Sequence, residues 1–73
     1  MDSIPFLHAN RIFTILFTED LAFAEVRGVL DYLLEEDAFS PEVQMTKLEY
    51  AIDLEDASFH VWVSEMDVFI QRQ

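Results

Sequence analysis

The spacing of apolar and polar positions divides this chain into segments of different kinds. From Arg11 to Phe17 nearly every residue is apolar, with β-branched and aromatic side chains prominent. That predicts a strand covered on both faces and central in its sheet. Ahead of it, Ile4 to His8 reads as an edge strand or a packed extended arm within residues 1–10, because Pro5 lacks the N–H that a central strand needs. Thr18 then suits a helix N-cap, with Glu19 and Asp20 in the first turn, where carboxylates favour the dipole. From there to Leu34 the apolar residues fall at Ala22, Phe23, Val26, Val29, Leu30, Leu33 and Leu34. This helical spacing makes one wide buried stripe. Asp20, Arg27, Asp31 and Glu35 take the opposite face, with Glu25, Tyr32 and Glu36 beside them.

Beyond the helix the period changes. Ser40, Pro41 and Glu42 signal a short helical turn, but continuing it would scatter Val43, Met45, Leu48, Tyr50 and Ile52 around the axis. Read as a strand, Leu48, Tyr50, Ile52 and Leu54 share one face, while Lys47, Glu49, Ala51 and Asp53 share the other. Glu55 to Ser58 turns the chain into a second alternating strand, with Phe59, Val61 and Val63 inward and His60 and Trp62 outward, so the pair predicts an antiparallel hairpin. The end fits two patterns: a capping box from Ser64 to Asp67 that starts a helix, or a four-residue loop into a strand from Val68 to Gln71, with the balance slightly toward the strand. The expectation is a single α+β domain spanning residues 1–73: strand, helix and β-hairpin, closed by either a fourth strand or a short C-terminal helix, with the first helix packed on one face of the sheet.

Composition narrows what such a domain does. A chain of 73 residues buries only roughly 60% of the surface its unfolded form exposes, so its stability margin is thin. With no cysteine, disulfides cannot reinforce it, which fits a reducing compartment. The hydrophobic fraction of 52% is too high for an acidic disordered tail, and the chain should fold. Its start has no basic n-region, and no apolar run is long enough to span a bilayer, so we expect a complete cytoplasmic product without leader or membrane anchor. Fifteen Asp and Glu stand against four Lys and Arg, for a net charge of −11. That balance disfavours direct contact with nucleic acid or anionic lipid, which need basic side chains to displace counterions. It favours either simple solubility or a partner whose surface is basic.

Residues for catalysis are sparse. His8 and His60 are the only bases that titrate near neutral pH, and nothing in the pattern brings them together. Ser58 and His60 share a strand face but lack a nucleophile-turn motif. Asp53, Glu55 and Asp56 lack the ligand spacing and the glycine of an EF-hand loop. The single glycine, Gly28, lies inside the predicted helix, so no phosphate-binding loop exists. We expect no enzyme activity, cofactor or metal.

Candidate binding features remain. Glu35, Glu36 and Asp37 would oppose the helix dipole if the helix reaches them, and a broken local rule often marks a functional surface; a helix ending at Leu34 would leave them in a solvated loop. Asp31 and Tyr32 join Glu25 and Glu35 on the polar helix face. On the sheet face turned from the helix, His60, Trp62, Glu49 and Asp53 would cluster around Ala51, where Trp62 ringed by carboxylates could receive an Arg or Lys, unless Phe6 or Phe69 covers it. Glu55 and Asp56 extend the acidity at the hairpin turn. Phe39, Phe6, Val68, Phe69 and Ile70 are an apolar excess that so small a domain could leave exposed, with homodimerisation through an edge strand as one outlet.

In length, net charge and the acidic groups Glu35 to Asp37 and Asp53 to Asp56, the chain resembles small phage-encoded proteins that take over host machinery. These include inhibitors of bacterial RNA polymerase and acidic DNA mimics that block nucleases. The resemblance implies an inhibitor docking on a basic surface of a nucleic-acid enzyme, RNA polymerase first, in the host cytoplasm. The apolar strand from Ile12 to Phe17 interrupts the charge, which favours a local acidic patch over mimicry of a duplex. The alternative is an antitoxin-like neutraliser or assembly partner docking through apolar surface, with Phe39, Phe69 or Trp62 as anchors.

Overall fold

The computed structural model describes residues 1–73. The chain opens with an antiparallel hairpin of β1 (Asp2–His8) and β2 (Arg11–Phe17). His8 pairs with Arg11 across a turn whose central residues, Ala9 and Asn10, have φ of 52° and 62°. Positive φ at both centres is the geometry whose twist matches that of the flanking strands. Asn supports it readily and Ala does not, so the familiar Asn-Gly signal is missing from the sequence. The elements that follow are α1 (Phe23–Glu35), the short α2 (Pro41–Gln44), β3 (Glu49–Asp53), β4 (Ser58–Ser64) and β5 (Asp67–Arg72). Together the strands form one sheet in the order β1-β2-β5-β4-β3. The last strand therefore inserts beside β2, parallel to it, and antiparallel to β4.

Period-two alternation decides which side chains form the core. Phe13, Ile15 and Phe17 of β2, Tyr50 and Ile52 of β3, Phe59, Val61 and Val63 of β4, and Val68 and Ile70 of β5 are buried on one face. Val26, Val29, Leu30 and Leu33 of α1 close over them, with Leu21, Ala38 and Phe39 sealing the helix ends. Each such side chain contributes roughly 1.5–3 kcal/mol when fully buried, and there is no buried charge to offset it. Gly28 has a packing reason: a Cβ there would meet Leu54 Cδ1 at 2.9 Å. Its absence lets the segment after β3 lie against the helix.

The expected α+β fold with a helix on one sheet face is what forms, with differences in detail. The helix starts later than the Thr18 cap implies. Residues 18–21 make a turn closed by Leu21 N–H donating to Thr18 O, and Ala22 is the N-cap. The cause is Glu25, whose carboxylate accepts from Ala22 N–H at 2.8 Å and thereby caps the helix from within. Glu19 and Asp20 thus precede the helix. The buried stripe is also narrower: Ala22 is exposed, Phe23 is 66% exposed and Leu34 lies at the margin. The β2 strand has ladder neighbours on both sides but is covered on one face only, since Ile12 and Thr14 are exposed.

Of the apolar excess, Phe39, Val68 and Ile70 are fully buried. Phe39 packs on Phe13 and Phe6, with ring centroids 4.8 and 5.4 Å apart, and cannot anchor a partner. The tail is a strand reached by a two-residue turn: Ser64 pairs with Asp67, and Glu65 takes φ of 43°. No helix is long and apolar enough to cross a membrane.

Candidate partner-binding surfaces

Three kinds of surface emerge from this packing: patches of unpaired carboxylate, an open sheet face, and a groove beside α1. At the C-terminus of α1, Glu36 is the C-cap and Asp37 takes φ of 55°. Asp37 N–H donates to Leu34 O and Ala38 N–H to Leu33 O, the paired bonds of a Schellman motif. The helix therefore does reach Glu35, its last turn holds no basic residue, and Glu35, Glu36 and Asp37 are all exposed against the dipole. Their negative potential reaches inward: burial first, then Glu36, Tyr32 and Asp37, push the Tyr50 hydroxyl above its ordinary pKa.

The second acidic group runs from the end of β3, at Asp53, into the β3–β4 turn, at Glu55 and Asp56. Residues of that turn line a depression with Ala24, Glu25 and Leu54 near the start of α1. With a rise of about 1.5 Å per residue, the two acidic groups are separated by roughly 16 Å along the helix. The fold does not merge them. Asp31 is exposed on the helix beside the groove described below, whereas Tyr32 is half-buried against the core and offers little to a partner.

Compensation is scarce. Arg72 carries most of it: its guanidinium reaches Glu25 at 2.5 Å and Asp20 at 3.5 Å, and lies over the Phe59 ring. The Glu25 carboxyl is held below its ordinary value by the Ala22 amide and then by Arg72. For Asp20 the Thr18 hydroxyl acts first and Arg72 helps. Among the fifteen acidic residues, Asp20, Glu25 and Glu19 (with the amino terminus) are the ones that meet a cation, and Glu49 bonds the His60 ring. Arg11 lies instead over Phe13 and Lys47 over Tyr50.

The sheet face turned from the helix is uncovered. The expected cluster around Ala51 forms there. His60 and Trp62 stack with centroids 4.1 Å apart and planes 7° apart. His60 Nε2 bonds Glu49, and Ser58 Oγ donates to Asp53 Oδ1 at 2.6 Å. Phe69 flanks Trp62 at 5.5 Å without covering it, and Phe6 lies on the other face, packed against the core. One register row runs Glu49, Trp62, Phe69, Leu16 and Ser3 across the sheet, and Ile12 and Leu7 add exposed apolar surface near its far edge. The Ser58 hydroxyl donates its hydrogen bond to Asp53 rather than to His60, and His8 stacks on Phe6 and sits tilted against Phe39 at the core side, away from His60. No set of three His, Asp or Glu side chains is arranged to hold a metal.

No protein-family model, curated protein or solved structure matches this chain. Its surfaces must speak for themselves.

One surface escaped the sequence reading. Phe23, Arg27, Asp31 and Leu34 of α1 face Ile4, Pro5 and Phe6 of β1 across a groove of about 410 Å³. The helical pattern assigned Phe23 and Leu34 to the buried stripe, because periodicity cannot tell a covered flank from one that overhangs the sheet edge. The apolar outer row of β2, Ile12 and Leu16, is the sequence signal for the open face, but a row of apolar residues in a strand signals burial equally well.

Proposed function

We propose that this chain is a protein-binding inhibitor or regulator that acts by docking acidic surface onto a basic surface of a nucleic-acid-handling enzyme, and that it carries out no chemistry of its own. The observation that supports this reading is the lack of compensation: Asp31, Glu35, Glu36, Asp37, Glu55 and Asp56 are exposed and have no Lys, Arg or His within ion-pairing distance. Concentrated like charge opposes folding in so small a domain, and a cationic partner relieves it. Enzymes that track nucleic acid carry basic channels, and bacterial RNA polymerase is the first to test. A phage-encoded product acting in the host cytoplasm fits this role.

The test is capture from bacterial lysate with stepwise salt elution, followed by binding of the purified candidate to charge-reversed variants. Glu35, Glu36 and Asp37 changed together to Lys, or Asp53, Glu55 and Asp56 changed together, should weaken association while circular dichroism stays native. Association should also be fast and fall steeply with ionic strength. Undiminished binding by both triple variants would overturn the proposal.

A second reading has its own observation: the exposed Phe23 and Leu34 beside the β1 groove, together with Trp62 and Phe69 on the open sheet, suit an antitoxin-like neutraliser or assembly partner that docks through apolar surface. It predicts a complex that survives high salt and is lost on Phe23→Ser or Trp62→Ala.

A further inference from the structure

The two edges of the sheet offer different backbones. Thr14 donates its amide toward β5, to Met66 O. Its partner across β1–β2, Pro5, therefore belongs to a non-hydrogen-bonded pair and turns its backbone outward. The outward positions of β1 are Ser3, Pro5 and Leu7, and the middle one has no N–H. Proline at that place blunts an edge against strand addition.

At the opposite edge, Val63 N–H donates to Leu48 O and Leu54 N–H to Ala57 O. Alternation between those bonds turns Glu49, Ala51 and Asp53 outward. All three have an N–H, β4 is the only ladder neighbour of β3, and no loop or cap bond uses these groups. The Glu49 and Asp53 side chains flank the edge on the open face, with the small Ala51 between them. A second copy of this edge is rejected: antiparallel pairing about Ala51 sets Glu49 against Asp53, and like charges directly opposite are destabilising. The same positions attract a strand that carries cations.

We infer that the free edge of β3 is where the basic partner docks, by adding an extended segment to the sheet with Arg or Lys opposite Glu49 and Asp53 and a small or apolar residue opposite Ala51. This rests on the basic-partner reading above and assigns it a place and a mode. Backbone hydrogen bonds hold the segment, and the flanking carboxylates set its register and charge.

The probe is an acetylated, amidated nonapeptide of threonine and valine with arginine at its third and seventh positions. A twin carries N-methyl groups on the amides that would face β3. Both have the same charge, so only the strand mode distinguishes them. The expected results are binding of the first peptide, slowed amide exchange at Glu49, Ala51 and Asp53, and about tenfold weaker binding of the twin, as loss of shared hydrogen bonds implies. Ala51→Pro, which removes an outward N–H without touching the ladder, should weaken the first peptide by a similar factor, while Ala51→Thr should not. Equal affinity for the two peptides, or exchange unchanged at those three amides, overturns the edge and leaves a cationic partner standing. Failure of the arginine peptide to bind at low salt also overturns the edge. The cationic partner is judged separately, by capture with the charge-reversed variants.

Discussion

Asp37 is held in a left-handed conformation, φ 55°, at the position after the α1 C-cap where helices most often place glycine. Asp37→Gly should therefore stabilise the protein. An L-residue in this conformation costs roughly 1–2 kcal/mol, with Asp at the lower end because its short side chain tolerates the region. A carboxylate at the negative end of the helix dipole costs a further few tenths to about 1 kcal/mol. Against these, glycine loses about 0.5–1 kcal/mol more conformational entropy on folding. The net gain is about 1 kcal/mol, and for a domain of this size that raises Tm by about 4–8 °C. Urea and thermal unfolding followed by circular dichroism measure it. Asp37→Asn separates the two causes, since it keeps the side-chain shape and removes only the charge. Its smaller gain should fade as salt screens the dipole, whereas the backbone part of the glycine gain should persist. If glycine gives no gain, or asparagine matches it at every ionic strength, the left-handed backbone is not where the cost lies. Where the Glu35–Asp37 patch touches a partner, the stabilised variant should bind that partner more weakly.

The remaining predictions use the same measurements. The Tyr50 hydroxyl is buried without a protein partner, so Tyr50→Phe should be neutral or stabilise by up to about 1–2 kcal/mol; a loss larger than 1 kcal/mol would show that the hydroxyl is bonded after all. Because the folded pKa of Tyr50 lies above its ordinary 10.0, the wild type should lose stability as pH rises through that higher value, and the phenylalanine variant should lose less. Glu25 and Asp20 titrate below their ordinary 4.5 and 3.8. Their stabilisation is complete above those values and lost as pH falls through the lower folded ones, so acid unfolding curves of wild type and Arg72→Gln should converge there. Added NaCl should raise the urea midpoint at neutral pH by screening the net charge of −11, and a midpoint that falls would refute self-repulsion as a destabilising force. Phe59→Ala, at a core site of no exposure, should cost about 3–5 kcal/mol and leave so small a domain largely unfolded.

Local pattern alone determined the buried faces. Val26, Val29, Leu30 and Leu33 repeat at the helical period, and Tyr50, Ile52, Phe59, Val61 and Val63 repeat at the strand period. Each period states which side of its own element is apolar, and those sides are the ones buried. The acidic cluster around Trp62 and Ala51 was legible for the same reason, because residues of adjacent hairpin strands inherit a common face from alternation. Tertiary structure decided whatever depends on neighbours distant in sequence. That β5 lies between β2 and β4, leaving β1 and β3 as edges, is one of several strand orders compatible with the same alternation; Pro5 marked its own strand as an edge from sequence, but only the strand order shows that β3, with Ala51, is the other. The open face behind Ile12 and Leu16 and the overhang of Phe23 follow from the presence of a single layer of helix, which covers one side of the sheet and stops short of its margin. The positive φ of Ala9, Asp37 and Glu65 is not legible in the sequence, because Ala and Glu do not favour that conformation and Asp merely tolerates it. The core on either side holds the backbone there, against local preference.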